Sequence, residues 1–160
     1  MPEVDSIPVG NFRYELRFNG HPLQSAGSAG GPQPVAGGAF AECSGLEATM
    51  EPKAIREGGQ NYGVHQRVGP VTFATVVLRR GMTLNRDLWT WFHQVTLLGA
   101  FTHRMDVEIV HLDLDGRTPV RTWHLDRALP VKFKSSDLNA RGSEIAIEEL
   151  HLVHEGLKLA

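Results

Sequence analysis

The stretch 103–114, His103-Arg104-Met105-Asp106-Val107-Glu108-Ile109-Val110-His111-Leu112-Asp113-Leu114, decides the fold class. Met105, Val107 and Ile109 are apolar at odd positions and alternate with Asp106 and Glu108, the period of a strand that points successive side chains to opposite faces. The phase then flips, because Val110, Leu112 and Leu114 are apolar at even positions. A regular strand would turn one of the two sets into water. The flip predicts a bulge, a strong twist or a change of covering partner part-way along. At about 3.3 Å per residue a strand of this length spans roughly 40 Å, more than a small domain needs for its own core. Part of it is therefore expected to pair outside the subunit.

The residues that follow continue the pattern. Asp115-Gly116 suits a tight hairpin, since glycine tolerates positive φ without a Cβ clash. Two strands are predicted beyond it, Pro119 to Asp126 and Leu129 to Lys134. Near the C-terminus Ile145 and Ile147 give way to Leu150 and Leu152, a second change of phase.

Toward the N-terminus, Leu84, Leu88, Trp91, Phe92 and Val95 recur at three- and four-residue steps and predict one helix from about Asn85 to Leu98. Thr83 or Asn85 is placed to cap it, Asp87 lies near the positive end of its dipole, and Gly99 suits a left-handed end. Val71 to Arg79 is rich in β-branched residues and predicts a strand. Glu51 to Gly69 is polar, with turns at Gly58-Gly59 and Gly63, and is expected to leave the body of the domain as a long excursion. Ala39 to Thr49 is strand-like. Gln24 to Gly38, QSAGSAGGPQPVAGG, offers almost no large apolar side chain and is expected to be a flexible insert. Phe12, Tyr14, Leu16 and Phe18 alternate with Arg13, Glu15 and Arg17, a strand with one wet face.

The whole chain is consistent with one domain over residues 1–160. Its 160 residues suffice for a core without disulfides or metals. A composition of 41% hydrophobic and 21% charged residues with a formal charge of −2 gives no sign of a polyanion binder. No stretch is apolar for long enough to span a membrane as a helix, and the acidic start Met1-Pro2-Glu3-Val4-Asp5 does not resemble a signal peptide. Synthesis in the cytoplasm is the expectation. Cys43 is the only cysteine, so no intrachain disulfide forms.

Candidate chemistry is sparse. The eight histidines lack ligand spacing: His151 and His154 fall on opposite faces of a strand, and His103, His111 and His124 are scattered. Asp113-Leu114-Asp115-Gly116 lacks the later ligands of a calcium loop and suits a hairpin turn. Cys43 has no base or orienting group beside it and is expected to be a small buried hydrophobe. The glycine-rich segment lacks the phosphate-cradling pattern. Trp89, Trp91 and Trp123 are expected in the core or at an interface. Arg79-Arg80 and Arg121 are isolated cations and make no nucleic-acid patch. No catalytic residue, cofactor or metal is predicted.

Seven segments in order along the chain resemble the tail-tube family shared by contractile phages and phage-derived extracellular injection systems. They are 8–14 (PVGNFRY), 38–46 (GAFAECSGL), 56–62 (REGGQNY), 78–82 (LRRGM), 87–92 (DLWTWF), 128–133 (ALPVKF) and 144–156 (EIAIEELHLVHEG). The resemblance implies a twisted antiparallel β-barrel or sandwich with one flanking helix. It also implies a non-enzymatic, hexameric architecture in which rings of identical copies stack into a hollow tube and strands of every copy join one inner barrel. Closing a ring removes edges that would otherwise aggregate, and head-to-tail interfaces generate cyclic assemblies. Implied partners are further copies of the chain, a sheath, a baseplate with its spike, and cargo protein or DNA in the lumen, without membrane insertion. Leu46 to Gly69 corresponds to the family's loop toward neighbouring subunits or the next ring, which assigns Arg56, Glu57, Asn61, Tyr62 and His65 to that contact. The REGG motif with His65 and the ending Pro130-Val131-Lys132-Phe133, followed by Asp137-Leu138-Asn139-Ala140, is similar to the tube-initiating paralogue. A secreted type VI ring is the alternative assembly, and a small β-barrel enzyme or ligand-binding module the alternative from another class.

Overall fold

A computed structural model of the chain describes residues 13–20, 40–98 and 104–160. The predicted insert at 24–38, Gly99 and His103 lie outside these residues. The elements are β1 (Tyr14–Gly20), β2 (Glu42–Ser44), β3 (Ala48–Ile55), β4 (His65–Phe73), β5 (Val76–Gly81), α1 (Asp87–Leu98), β6 (Met105–Leu112), β7 (Pro119–Ser135), β8 (Ile147–Val153) and β9 (Gly156–Leu159).

The predicted strands 119–126 and 129–134 are one strand, β7, of 17 residues. Arg127 takes φ 50° in its middle, and the backbone turns there without leaving the ladder. Its amide donates to Asp106 Oδ1 at 2.8 Å, which supports a left-handed residue with a side chain. On one side of this kink β7 pairs with β6, which pairs in turn with β1; on the other it pairs with β8, then β5, then β2. Every pairing is antiparallel. β7 thus belongs to two sheets at once, and these close on a shared core of Leu16, Val76, Leu78, Leu88, Trp91, Val107, Ile109, Leu125, Leu150 and Leu152. The predicted barrel or sandwich with one flanking helix is the architecture observed.

The phase change in β6 falls at Ile109-Val110, where the register runs on without a bulge and both faces of the strand are covered. Its register slips between Met105 and Val107 and again between His111 and Leu112, while Ile109 and Val110 are both buried although they point to opposite faces. In the C-terminal region the outcome differs from the apolar pattern. Ile145 and Ile147 are exposed, and the inner phase of β8 is Glu148, Leu150 and Leu152, so a carboxylate occupies a core-facing position.

Three further boundaries differ. Val71 to Arg79 is not continuous: β4 ends at Phe73 and β5 begins at Val76. Ala39 to Thr49 is likewise broken at Gly45, whose φ of +89° and distance of 2.1 Å from an ideal Cβ to the Thr75 carbonyl oxygen exclude any side chain. α1 starts at Asp87, not Asn85. Asn85 Oδ1 accepts from the Asp87 amide at 3.1 Å and Thr83 Oγ1 from the Asn85 amide at 3.3 Å, so both predicted capping residues hold the entry to the helix. His154 falls between β8 and β9, outside the strand that carries His151. The 113–118 turn is as expected: Gly116 has φ +69° and Asp115 Oδ1 accepts from the amides of Arg117 and Thr118.

Candidate assembly surfaces

Glu51 to Gly69 leaves the body of the domain as expected, and it does so as regular structure. It forms most of a β-hairpin, β3 with β4, that makes its own two-stranded sheet. The register places Ala48, Met50, Pro52 and Ala54 on one face with Phe73, Val71, Val68 and Gln66, and Thr49, Lys53 and Ile55 on the other with Thr72, Arg67 and His65. An extra residue in β4 at Gly69-Pro70 shifts the register between Met50 and Pro52, and this bulge keeps Val71 and Val68 on the same apolar face. That face is uncovered: Met50 is 51% and Val68 68% exposed. A two-stranded hairpin is marginal in water by itself. Its exposed apolar face therefore fits a surface that another protein covers. At its base Phe73 meets the His154 ring at 5.0 Å, and the Ala74 amide donates to the Glu47 carbonyl, which closes the hairpin at that end.

The five residues assigned to subunit contact gather at the far end of this hairpin. His65 Nε2 lies 3.4 Å from Glu57 Oε2, Arg56 and Asn61 are exposed, and Tyr62 is 99% exposed. Polarity marked this end in the sequence. The apolar face along the shaft went unrecognised because the bulge disguises its period.

A second surface is the sheet β7-β8-β5-β2. β8 and β9 follow one another along one flank of β7, and β6 takes the other flank only as far as Ala128. From Leu129 to Ser135 that flank carries no strand among the described residues, and neither does the outer side of β2. On the face turned away from the core, the registers align Glu42, Arg79, Glu149 and Lys134 in one row across the four strands. Arg79 Nη1 donates to Glu42 Oε2 and its Nε to Glu149 Oε2, both at 2.9 Å. Bonds from His151 and Arg79 hold the Glu149 carboxyl below the usual range.

On the core side the matching row is Phe133, Leu150, Leu78 and Cys43. Cys43 is partly buried and packs on the core as a small apolar group, and burial, with Glu42 adding to it, pushes its thiol up to about 11. Burial, followed by Cys43 and Glu42, also pushes the Tyr14 hydroxyl up to about 12. The helix covers this part of the sheet. Trp91 is fully buried and Trp123 packs against the core, whereas Trp89 is half exposed, edge-on to Phe133 at 5.3 Å and stacked on His93 at 5.6 Å. No group of three or more metal-ligating side chains, and no helix long and apolar enough to cross a membrane, occurs among the described residues.

Residues 11–158 match the family described as T4-like virus tail tube protein gp19. The chain belongs to that tail tube family. Solved structures similar to this tail tube chain include one from the cryo-EM structure of the anti-feeding prophage (AFP) baseplate, 6-fold symmetrised. It is 28% identical over 97% of each chain, with a TM-score of 0.79. A chain of the PVC extracellular contractile injection system sheath-tube complex in the extended state is 18% identical over 97% of this chain and 93% of its own, at 0.77. A chain of the anti-feeding prophage cap is 17% identical over 100% and 99%, at 0.76. These last two show the shared fold. No curated protein matches the sequence.

Proposed function

We propose that this tail tube chain is a structural subunit whose copies join head to tail into rings of six, and that the rings stack into the inner tube of a contractile phage-tail-like injection particle. The observation that carries this reading is the pair of open edges on the sheet β7-β8-β5-β2. Four strands of alternating direction leave β7 and β2 running oppositely. The β2 edge of one copy can therefore add to the β7 edge of the next as another antiparallel pair, and any number of copies continues the alternation. Closure then removes both edges from solvent.

The hairpin supports the same reading. Its apolar face is exposed among the described residues, so we assign it, with Arg56, Glu57, Asn61, Tyr62 and His65 at its end, to a neighbouring subunit or ring. The outward row of paired charges supports a polar lumen that cargo or DNA traverses without specific recognition when a sheath contracts. The mechanism is mechanical: shared ladder hydrogen bonds and apolar packing keep the tube stiff. No catalytic step or cofactor enters it. The whole chain acts as one domain, made in the bacterial cytoplasm and incorporated with sheath, baseplate and spike into the particle.

The higher identity to a baseplate chain, 28% against 18% for the sheath-tube chain, supports placing this subunit at the start of the tube. A type VI-like ring is less well supported, since the likeness to the structure of a type six secretion system protein reaches a TM-score of 0.57. Native mass spectrometry and negative-stain microscopy of the purified protein test the proposal. Rings of six are expected, and a strict monomer at high concentration, also in the presence of baseplate proteins, refutes it.

A further inference from the structure

The charge row across the inner sheet has unlike ends. From the β2 edge to the β7 edge it runs Glu42, Arg79, Glu149, Lys134, alternately negative and positive. Within the copy Arg79 is bonded to both carboxylates. Glu149 is shared between Arg79 and His151, and Lys134, opposite it in register, forms no ion pair among the described residues. Lys132, the next outward position on the same open edge, forms none either. One open edge thus ends in unpaired cations and the other in a carboxylate.

We propose that Glu42 of one copy faces Lys134 of the next across the seam between β2 and β7, so that the alternation of charge continues from copy to copy. The inference rests on the ring reading above and adds the residues that select the mating edges. Antiparallel pairing at this register sets Ser44 against Lys132 and, on the core side, Cys43 against Phe133, which prolongs the apolar row Phe133, Leu150, Leu78, Cys43. A single exposed ion pair adds little stability. Its effect is selective, because like charges directly opposite on adjacent strands repel. Two β2 edges would bring Glu42 to Glu42, and two β7 edges lysine to lysine. Both self-matched pairings are disfavoured, and the head-to-tail pairing that closes a ring remains.

Charge reversal tests the pair. Lys132→Glu/Lys134→Glu and Glu42→Lys are each purified and studied by native mass spectrometry and negative stain, alone and mixed in equal amounts. Each variant alone is expected to lose rings by about tenfold or more, and the mixture to regain them with equal numbers of the two chains. The mixture succeeds because one seam joins the reversed edges and the next joins the native ones. Lys132 and Lys134 form no ion pair among the described residues, but Lys134→Glu sets a carboxylate opposite Glu149; Lys132→Gln/Lys134→Gln, expected to keep the wild-type thermal midpoint, is therefore studied beside it, and fewer rings from that variant are not a folding defect. Should Glu42→Lys be destabilised by losing Arg79, Glu42→Gln replaces it, with fewer rings and a weaker salt dependence expected. Reversed variants that assemble like wild type, or a mixture that stays monomeric beside wild-type rings, overturn the pair alone. A wild-type chain that never forms rings overturns the ring reading itself.

Discussion

Arg80 Nη2 lies 2.5 Å from Asp87 Oδ1, and the same guanidinium donates through Nε to Glu148 Oε2 at 3.1 Å. One cation therefore ties β5 to the first turn of α1 and to β8, with all three side chains buried. The arrangement holds the helix against the sheet at the end of the inner row where Leu78 and Leu150 give way to charge. Asp87 gains twice, from the guanidinium and from its place at the positive end of the helix dipole.

Removing that cation leaves two carboxylates without their shared counter-charge inside the protein. Arg80→Ala is expected to lower stability by about 3–5 kcal/mol, measured by denaturant unfolding. Arg79→Ala, on the exposed face of the same strand, is expected to change the unfolding midpoint little. Equal effects from the two would remove the distinction between clamp and surface row.

Gly45 and Gly59 both have φ +89°, but only Gly45 is crowded. Gly45→Ala would drive a methyl group into the Thr75 carbonyl and is expected to cost about 3 kcal/mol or more, the sum of strain and clash. Gly59→Ala, with open space around it, is expected to cost about 1 kcal/mol. Thermal unfolding of the two variants separates steric exclusion from backbone preference.

The hairpin face offers a test of its own. Val68→Asp places a charge on a side chain already exposed to water, so the isolated copy is expected to keep its stability within about 0.5 kcal/mol. Assembly is expected to fail, read as loss of rings or stacks in negative stain. A variant that assembles normally shows that the apolar face is not covered by another copy.

Two histidines contribute to the response to acid. Burial holds the His154 imidazole below its usual range, against the raising effects of its bond to the Gly156 carbonyl and of Asp126. His111 is lowered by burial and then by Arg121. In the unfolded chain both titrate near 6.5. Between that value and their lower folded ones the unfolded state binds more protons, so stability falls as pH drops through this window and is flat above it. Denaturant midpoints measured from neutral pH downward should show this slope, and His111→Gln with His154→Gln should flatten it.

Local periodicity carried much of this fold. The alternation from Tyr14 to Phe18 and from Met105 to Ile109 sets which side chains face inward, and the spacing of Leu88, Trp91 and Val95 sets the helix, because those choices depend only on neighbours a few residues away. Asn85 and Thr83 at the helix entry were legible for the same reason. The amphipathic hairpin was not, since the extra residue at Gly69-Pro70 breaks the two-residue count that would reveal it. Nor was the clamp: in the sequence Arg80 is one of two adjacent arginines, and nothing local says that one points inward to Asp87 and Glu148 and the other outward.

The sequence by itself determined the class of structure, its strand faces, the helix at Asp87–Leu98 and its likeness to the tail tube family. Only the tertiary structure decided which strand edges remain open and which charges stand in one row. Periodicity assigns a side chain to a face, but an edge exists only relative to the strand placed beside it. Glu42, Arg79, Glu149 and Lys134 come from four strands far apart along the chain, and register alone makes them neighbours.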